Sequence, residues 1–282
     1  MSVLTETYQL ANGVQIPKVG FGTWQIPNGE EAYNSVTTAL KNGYRHIDTA
    51  KAYGNEKSVG QAIRDSGIDR KEIFVTSKLP AEIKTYDGAL KAFDETMADL
   101  DIDYLDLYII HAPWPWSETG KNYDEGNIEA WKALEKVYAD GRVRAIGVSN
   151  FAVRDLKNLL NHSEVTPMVN QIQYYIGFTE PKITSYSQAH GLLVEAYSPL
   201  ATGRMLNNDH VLRLAEKYNV TTAQLAIRFC IDNGALPLPK SVTPVHIISN
   251  KELDFKISSE DMDVLNSLAD TADGNNHNRT QG

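Results

Sequence analysis

The chain has 282 residues and a mass of 31.4 kDa, with 42% hydrophobic and 22% charged residues. That composition supplies a sizeable core and excludes collagen-like, disulfide-framework and generally disordered classes. Lys and Arg number 27 against 36 Asp and Glu, a net charge of −9, which disfavours nucleic acid or anionic lipid as a partner held by bulk charge.

In chain order, the N-terminus carries no basic segment followed by an apolar core, and no apolar run reaches bilayer length. A cytoplasmic protein with no membrane partner is expected. Tyr8 to Leu10 and Val14 to Ile16 flank Asn12-Gly13, the dipeptide that supplies the positive φ angles of a tight hairpin turn. Strand-like runs follow at Lys18 to Gly22, His46 to Asp48, Ile73 to Lys78, Tyr104 to His111, Ala145 to Asn150, Met168 to Gln173, Leu192 to Ser198 and Leu236 to Lys240. Between them, helical spacing marks Glu31 to Lys41, Glu56 to Ile63, Leu90 to Leu100, Ile128 to Tyr138, Val153 to Leu160 and Val211 to Tyr218. The lone Cys230 cannot form an internal disulfide, and in LAIRFCIDNG it reads as a buried helical thiol.

A prior of about 150 residues per domain suggests two domains. Eight βα units after a hairpin, with no Pro/Gly/Ser-rich linker, predict instead one α/β domain over residues 1–282, a (β/α)8 TIM barrel. Residues 273–282, DGNNHNRTQG, lack apolar anchors and read as a polar tail.

Active sites of such barrels sit at the C-terminal strand ends, and here those ends are polar. They carry Asp48, Lys78, His111, Ser149-Asn150, Asn170-Gln171, Tyr197-Ser198 and Lys240-Ser241. Each residue alone has a structural explanation: Asp48 as a helix cap, Lys78 as a surface charge, His111 as a core histidine, Tyr197 as barrel packing, Lys240 as a solvated loop charge. Asn150 could equally cap a helix beginning near Ala152. Asp48, Lys78 and His111 at three consecutive strand ends, with Tyr53 in the YGNE loop, favour a composite site.

A phenol with an ordinary pKa of about 10 is a sluggish acid near neutrality. An ammonium at Lys78, held by Asp48, would lower that pKa and make Tyr53 a usable proton donor. His111 could orient the same substrate oxygen. Such a set suits reduction of a carbonyl to an alcohol, and because none of the four delivers hydride, a cofactor is required. Ser149, Asn150 and Gln171 offer donors and acceptors for a nicotinamide carboxamide, and Tyr197 offers a flat face for the ring. SPLATGR (Ser198 to Arg204) could approach a pyrophosphate. PKSVTP (Pro239 to Pro244) places a cation and two hydroxyls before a helix, a setting that favours anions.

GYRHIDTAKAYGNEKSVG (Gly43 to Gly60), GRVRAIGVSNF (Gly141 to Phe151), NQIQY from Asn170, AYSPL (Ala196 to Leu200) and LPKSVTP (Leu238 to Pro244) resemble the signature segments of the aldo-keto reductases. The resemblance runs from about the hairpin to the helix after Pro244. It implies a barrel closed at its bottom by the hairpin and an NADPH-dependent reductase of small-molecule carbonyl substrates. The family's catalytic tetrad falls on Asp48, Tyr53, Lys78 and His111, with Tyr53 as general acid. Nicotinamide contacts fall on Ser149, Asn150, Gln171 and Tyr197. Phosphate and adenine contacts fall on Ser198, Leu200, Lys240, Ser241, Thr243 and Asn250, and the substrate-pocket tryptophan on Trp24.

Two departures bear on specificity. The family commonly has Trp after the catalytic His, whereas this chain reads IHAPWPW. Ala112 removes a pocket wall that Trp114 or Trp116 could replace. Many NADPH-preferring relatives carry Arg where this chain has His246, and His lacks a permanent charge for a phosphate, so NADH is possible as well. Little chain remains for an extended C-terminal lid, so the pocket is expected to be open. HExxH and CxxC spacings are absent and the 7 histidines are scattered, so no metal is expected. A monomer is expected, with a weak dimer as the alternative. Two rival functions remain: a barrel enzyme using Lys78 as a Schiff-base amine, and a noncatalytic NADPH-binding regulatory or accessory protein on the same fold.

Overall fold

The computed structural model describes residues 2–272, and the tail expected over 273–282 lies outside the described residues. The chain opens on an antiparallel hairpin of β1 (Thr7–Gln9) and β2 (Gln15–Pro17), with Gly13 at φ 87° in its turn. That is the left-handed position for which the Asn-Gly pair is suited.

Among the described residues, eight parallel strands then form the barrel wall. They are β3 (Phe21–Gly22), β4 (His46–Asp48), β5 (Phe74–Leu79), β6 (Leu105–Ile110), β7 (Val143–Ser149), β8 (Val169–Gln173), β9 (Leu193–Tyr197) and β10 (Leu236–Leu238). Each pairs with its neighbours in the chain. The ring closes where the N–H groups of Gly20 and Gly22 donate to the carbonyls of Pro237 and Pro239, each at 3.0 Å. The prolines contribute only acceptors to this seam. A Cβ on Gly22 would stand 3.1 Å from the Leu238 carbonyl oxygen, so the close approach of first and last strands uses the missing side chain.

Helices cover the outside: α1 (Glu30–Lys41), α2 (Glu56–Asp65), α3 (Tyr86–Leu100), α4 (Asp124–Ala139), α5 (Val153–Leu160), α6 (Pro181–Ala189), α7 (Asp209–Lys217), α8 (Thr222–Asp232), α9 (Pro244–Ser249) and α10 (Ser259–Ser267). α3 begins four residues before its apolar spacing does, because the Thr85 hydroxyl accepts from the Gly88 N–H and caps it. α6 and α10 carry little periodic signal, since each buries only two residues, one of them polar.

Inside the barrel, the hairpin residues Leu10 and Ile16 join Phe74, Leu107, Ile109 and Leu236 in one apolar cluster. This plugs the N-terminal end. Further along the strands the buried groups become polar: His46, Thr76, Asp48, Lys78, Gln171 and Glu195. His46 Nε2 lies 2.9 Å from Thr76 Oγ1, and burial beside Lys78 pulls the imidazole down to about 3, which keeps it neutral.

Candidate active site

β4 ends at Asp48, and the next strand places Lys78 beside it. Lys78 Nζ donates to Asp48 Oδ1 at 2.6 Å and to the Thr49 carbonyl at 2.8 Å, wholly buried. Burial alone would drive this amine down. The Asp48 carboxylate and Tyr53 hold it above its ordinary value instead.

Tyr53 ends a 3₁₀ turn (Lys51–Tyr53), closed by Gly54 at φ 67°. The Lys78 ammonium lies 4.9 Å from its ring centroid. Asn55 anchors the loop: it accepts from Thr49 Oγ1 at 2.7 Å and donates to the carbonyls of Thr23 at 3.0 Å and Ile26 at 2.9 Å. The segment bearing Trp24 is thereby tied to the loop bearing Tyr53.

Burial pushes the Tyr53 phenol up, Lys78 pulls it down and Asp48 raises it again, with a net upward displacement. The expected lowering therefore does not prevail, because desolvation of a phenolate outweighs one nearby ammonium that Asp48 already neutralises. Tyr53 keeps its proton at neutral pH, the form from which an acid acts.

His111 follows β6, and its carbonyl accepts from Asn150 Nδ2 at 2.9 Å. Its ring sits 5.6 Å from the Tyr53 ring and 5.2 Å from the Trp116 ring, edge-on to both. Asn150, at φ 60°, also donates to Ser149 Oγ at 3.0 Å and accepts from the Tyr197 hydroxyl at 2.8 Å. The capping alternative for Asn150 fails: Ala152 is the N-cap of α5, and Asp155 accepts from its N–H.

Gln171 Nε2 donates to Asp48 Oδ2 at 2.9 Å and to Glu195 Oε2 at 2.8 Å. Glu195, wholly buried, is pushed up to about 8 by burial and by the Asp48 charge. Sequence reasoning missed it; the signal was an ionisable residue two positions before Tyr197, on the same face of a buried strand.

These groups surround one cavity of about 600 Å³. Asp48, Tyr53 and His111 reach its wall, and Lys78 stands behind them. Ser149, Asn150, Gln171, Tyr197, Ser198, Leu200 and Lys240 line it too, as do Trp24 and Trp116. Ala112 and Trp114 do not, being buried with Ala81 behind the wall. Of Trp114 and Trp116, it is Trp116 that fronts the site. Lys84 Nζ holds this loop through the Ala112 carbonyl at 2.7 Å, and Asn127 Nδ2 through the Pro113 carbonyl at 2.9 Å. Ser241, Thr243, His246 and Asn250 also lie off the cavity wall: Thr243 precedes α9, His246 is exposed on it and Asn250 is buried at its end.

The donor set suits a flat ring bearing a carboxamide. The hydroxyl of Tyr197 is held by Asn150, which fixes its ring, and Gln171, on the cavity wall, has both amide hydrogens committed to Asp48 and Glu195, which leaves its Oε1 as the group to accept from a ligand. Lys240 has no acidic partner within 4 Å among the described residues and supplies a cation on the cavity wall.

The family model described as "Aldo/keto reductase family" matches residues 18–270. A glyoxal reductase of Bacillus subtilis is 43% identical over 266 residues, covering 94% of this chain and 93% of that protein. Glycerol 2-dehydrogenase (NADP(+)) of Saccharomyces cerevisiae is 36% identical, covering 94% and 91%. The crystal structure of an aldo/keto reductase from Brucella melitensis superposes with a TM-score of 0.88 at 40% identity, covering 94% of this chain and 98% of that one. With the barrel, its bottom hairpin and relatives matched along nearly their whole length, this chain belongs to the aldo/keto reductase family and is an oxidoreductase.

Proposed function

We propose that this protein reduces aldehydes and ketones to alcohols with NADPH, Tyr53 protonating the substrate oxygen. The observation that carries the reading is the Asp48–Lys78–Tyr53 chain beside the His111 ring at the wall of one cavity. Ser149, Asn150, Gln171 and Tyr197 would hold the nicotinamide end, and Lys240 with Ser198 the phosphates. The chemistry the cofactor supplies when bound is a hydride for the carbonyl carbon.

The remaining work falls to this chain's residues. His111 orients the substrate oxygen by hydrogen bonding. Tyr53, protonated at neutral pH, passes its proton to that oxygen as negative charge develops there. The phenolate left behind lies against the Lys78 ammonium, which Asp48 and Thr49 hold in place. Burial removes competing water, so the ammonium acts at low effective dielectric. The Schiff-base alternative is disfavoured, because Lys78 is held above its ordinary pKa and its hydrogens are committed.

NADPH absorbance followed with a reactive aldehyde, alongside tryptophan fluorescence on adding NADPH, tests the proposal. The glyoxal reductase relative makes a small dicarbonyl the first aldehyde to try. Aldehyde-dependent oxidation supports the reductase. Quenching without turnover would point to the noncatalytic NADPH-binding alternative, and neither signal would overturn both readings.

A further inference from the structure

Glu195 is a buried acid with no part in the proton transfer above. It pairs with Gln171 in the β8–β9 register, and its carboxyl oxygen accepts one hydrogen of the Gln171 amide while Asp48 accepts the other. An amide nitrogen placed between two carboxyl oxygens has one acceptable orientation. Turning the group over would set its carbonyl against the Asp48 carboxylate, a buried repulsion in place of a charge-assisted hydrogen bond.

The charge balance fits a holding role. Lys78 is matched by Asp48, so a second carboxylate here would be uncompensated. Burial and Asp48 accordingly keep Glu195 protonated at neutral pH. In that state its Oε2 still accepts from Gln171, while Oε1 makes no hydrogen bond among the described residues. Among the described residues the acid therefore has one hydrogen bond, and it is with a residue of the cavity wall.

We propose that Glu195 is a positioning residue for cofactor selection: by holding Gln171 Nε2 downward it presents Gln171 Oε1 to the cavity, so that the site selects a ring bearing an N–H donor. This rests on the reading that the cavity takes a nicotinamide. A carboxamide satisfies the Oε1 acceptor, whereas an acetyl group in the same place has no hydrogen to give and sets oxygen or methyl against it. Asp48 alone would hold only one hydrogen of the amide, leaving the group free to tilt. Asp48 sets the sense of the amide, and Glu195 supplies the second point of attachment that removes the tilt.

The test compares affinities of NADP+ and its 3-acetylpyridine analogue, read by quenching of tryptophan fluorescence, with 2′-phospho-ADP-ribose as the fragment lacking the ring. Wild type should bind NADP+ about 10-fold more tightly than the analogue, the worth of one neutral hydrogen bond. In Glu195→Leu the preference should fall to about 2-fold or less, and in Glu195→Gln, whose side-chain carbonyl can still accept from Gln171, it should return. A Glu195→Leu enzyme that binds NADP+ with the wild-type preference would overturn the proposal. So would a wild type that binds both dinucleotides equally yet more tightly than the fragment, an outcome that does not depend on any variant folding. If wild type binds NADP+ no better than the fragment, the nicotinamide reading itself fails, and the proposal falls with it.

Discussion

Lys78 Nζ lies 2.6 Å from Asp48 Oδ1, with the lysine wholly buried and the aspartate nearly so. Neither charge has much recourse to water, so each depends on the other. Lys78→Met leaves a buried carboxylate without its cation and should cost about 3–5 kcal/mol. Adding Asp48→Asn should restore part of that loss, giving a coupling energy of about 1–3 kcal/mol in a double-mutant cycle. Urea midpoints of the two single variants and the double variant measure it, and strict additivity would show that the pair does not act as a unit.

Removal of one oxygen isolates the acid. Tyr53→Phe keeps the ring beside Lys78 and His111 but has no proton to give. Turnover of a reactive aldehyde should fall by at least ~10²-fold, the usual contribution of a general acid, while NADPH quenches fluorescence as in wild type. Undiminished turnover would assign the proton to another group.

Glu56 offers a pH test away from the cavity. Its Oε1 accepts from Ser77 Oγ at 2.6 Å, and burial pushes its carboxyl up to about 7. A carboxyl raised on folding contributes stability that is complete below its ordinary value of 4.5 and is lost as pH rises through about 7. Each pH unit in that window changes the balance by about 1.4 kcal/mol. Glu56→Gln, which cannot ionise, should therefore gain about 2–3 kcal/mol on wild type between pH 4.5 and 7. Urea melts of both proteins at the two ends of the window give the difference, and a constant gap would mean that Glu56 titrates normally.

His246 is exposed on α9, close in sequence to the Lys240 cation. Arginine there would add a permanent, forked donor. His246→Arg should tighten NADPH by ~1–3 kcal/mol, a charge-assisted hydrogen bond's worth, and leave NADH unchanged. Titration of both cofactors decides it; equal effects on the two would place the side chain away from the 2′-phosphate.

The barrel was readable because its strands are short apolar runs, and the site because polar residues crowd their C-terminal ends, Asp48, Lys78 and His111 above all. What escaped were effects of packing. Local spacing does not tell that Trp116, rather than Trp114, turns toward His111; that follows from how Lys84 and Asn127 hold the carbonyls of Ala112 and Pro113. Nor does it reveal the upward displacement of Tyr53, which depends on how completely the barrel excludes water around its hydroxyl. Asn55 and Glu195 read locally as a loop amide and a strand residue. Their roles appear only when partners as distant in sequence as Thr23 and Gln171 are brought beside them.

The seam between β3 and β10 makes the site a record of finished synthesis. Trp24 follows the first barrel strand and Lys240 the last, and both stand on one cavity wall. A nascent chain halted before residue 236 would already carry Asp48, Tyr53, Lys78 and His111, yet its ring would be open where Gly20 and Gly22 meet Pro237 and Pro239. Cofactor retention by ribosome-bound chains of increasing length would then switch on only after the eighth strand has emerged, reporting completion of the circle rather than accumulation of catalytic side chains.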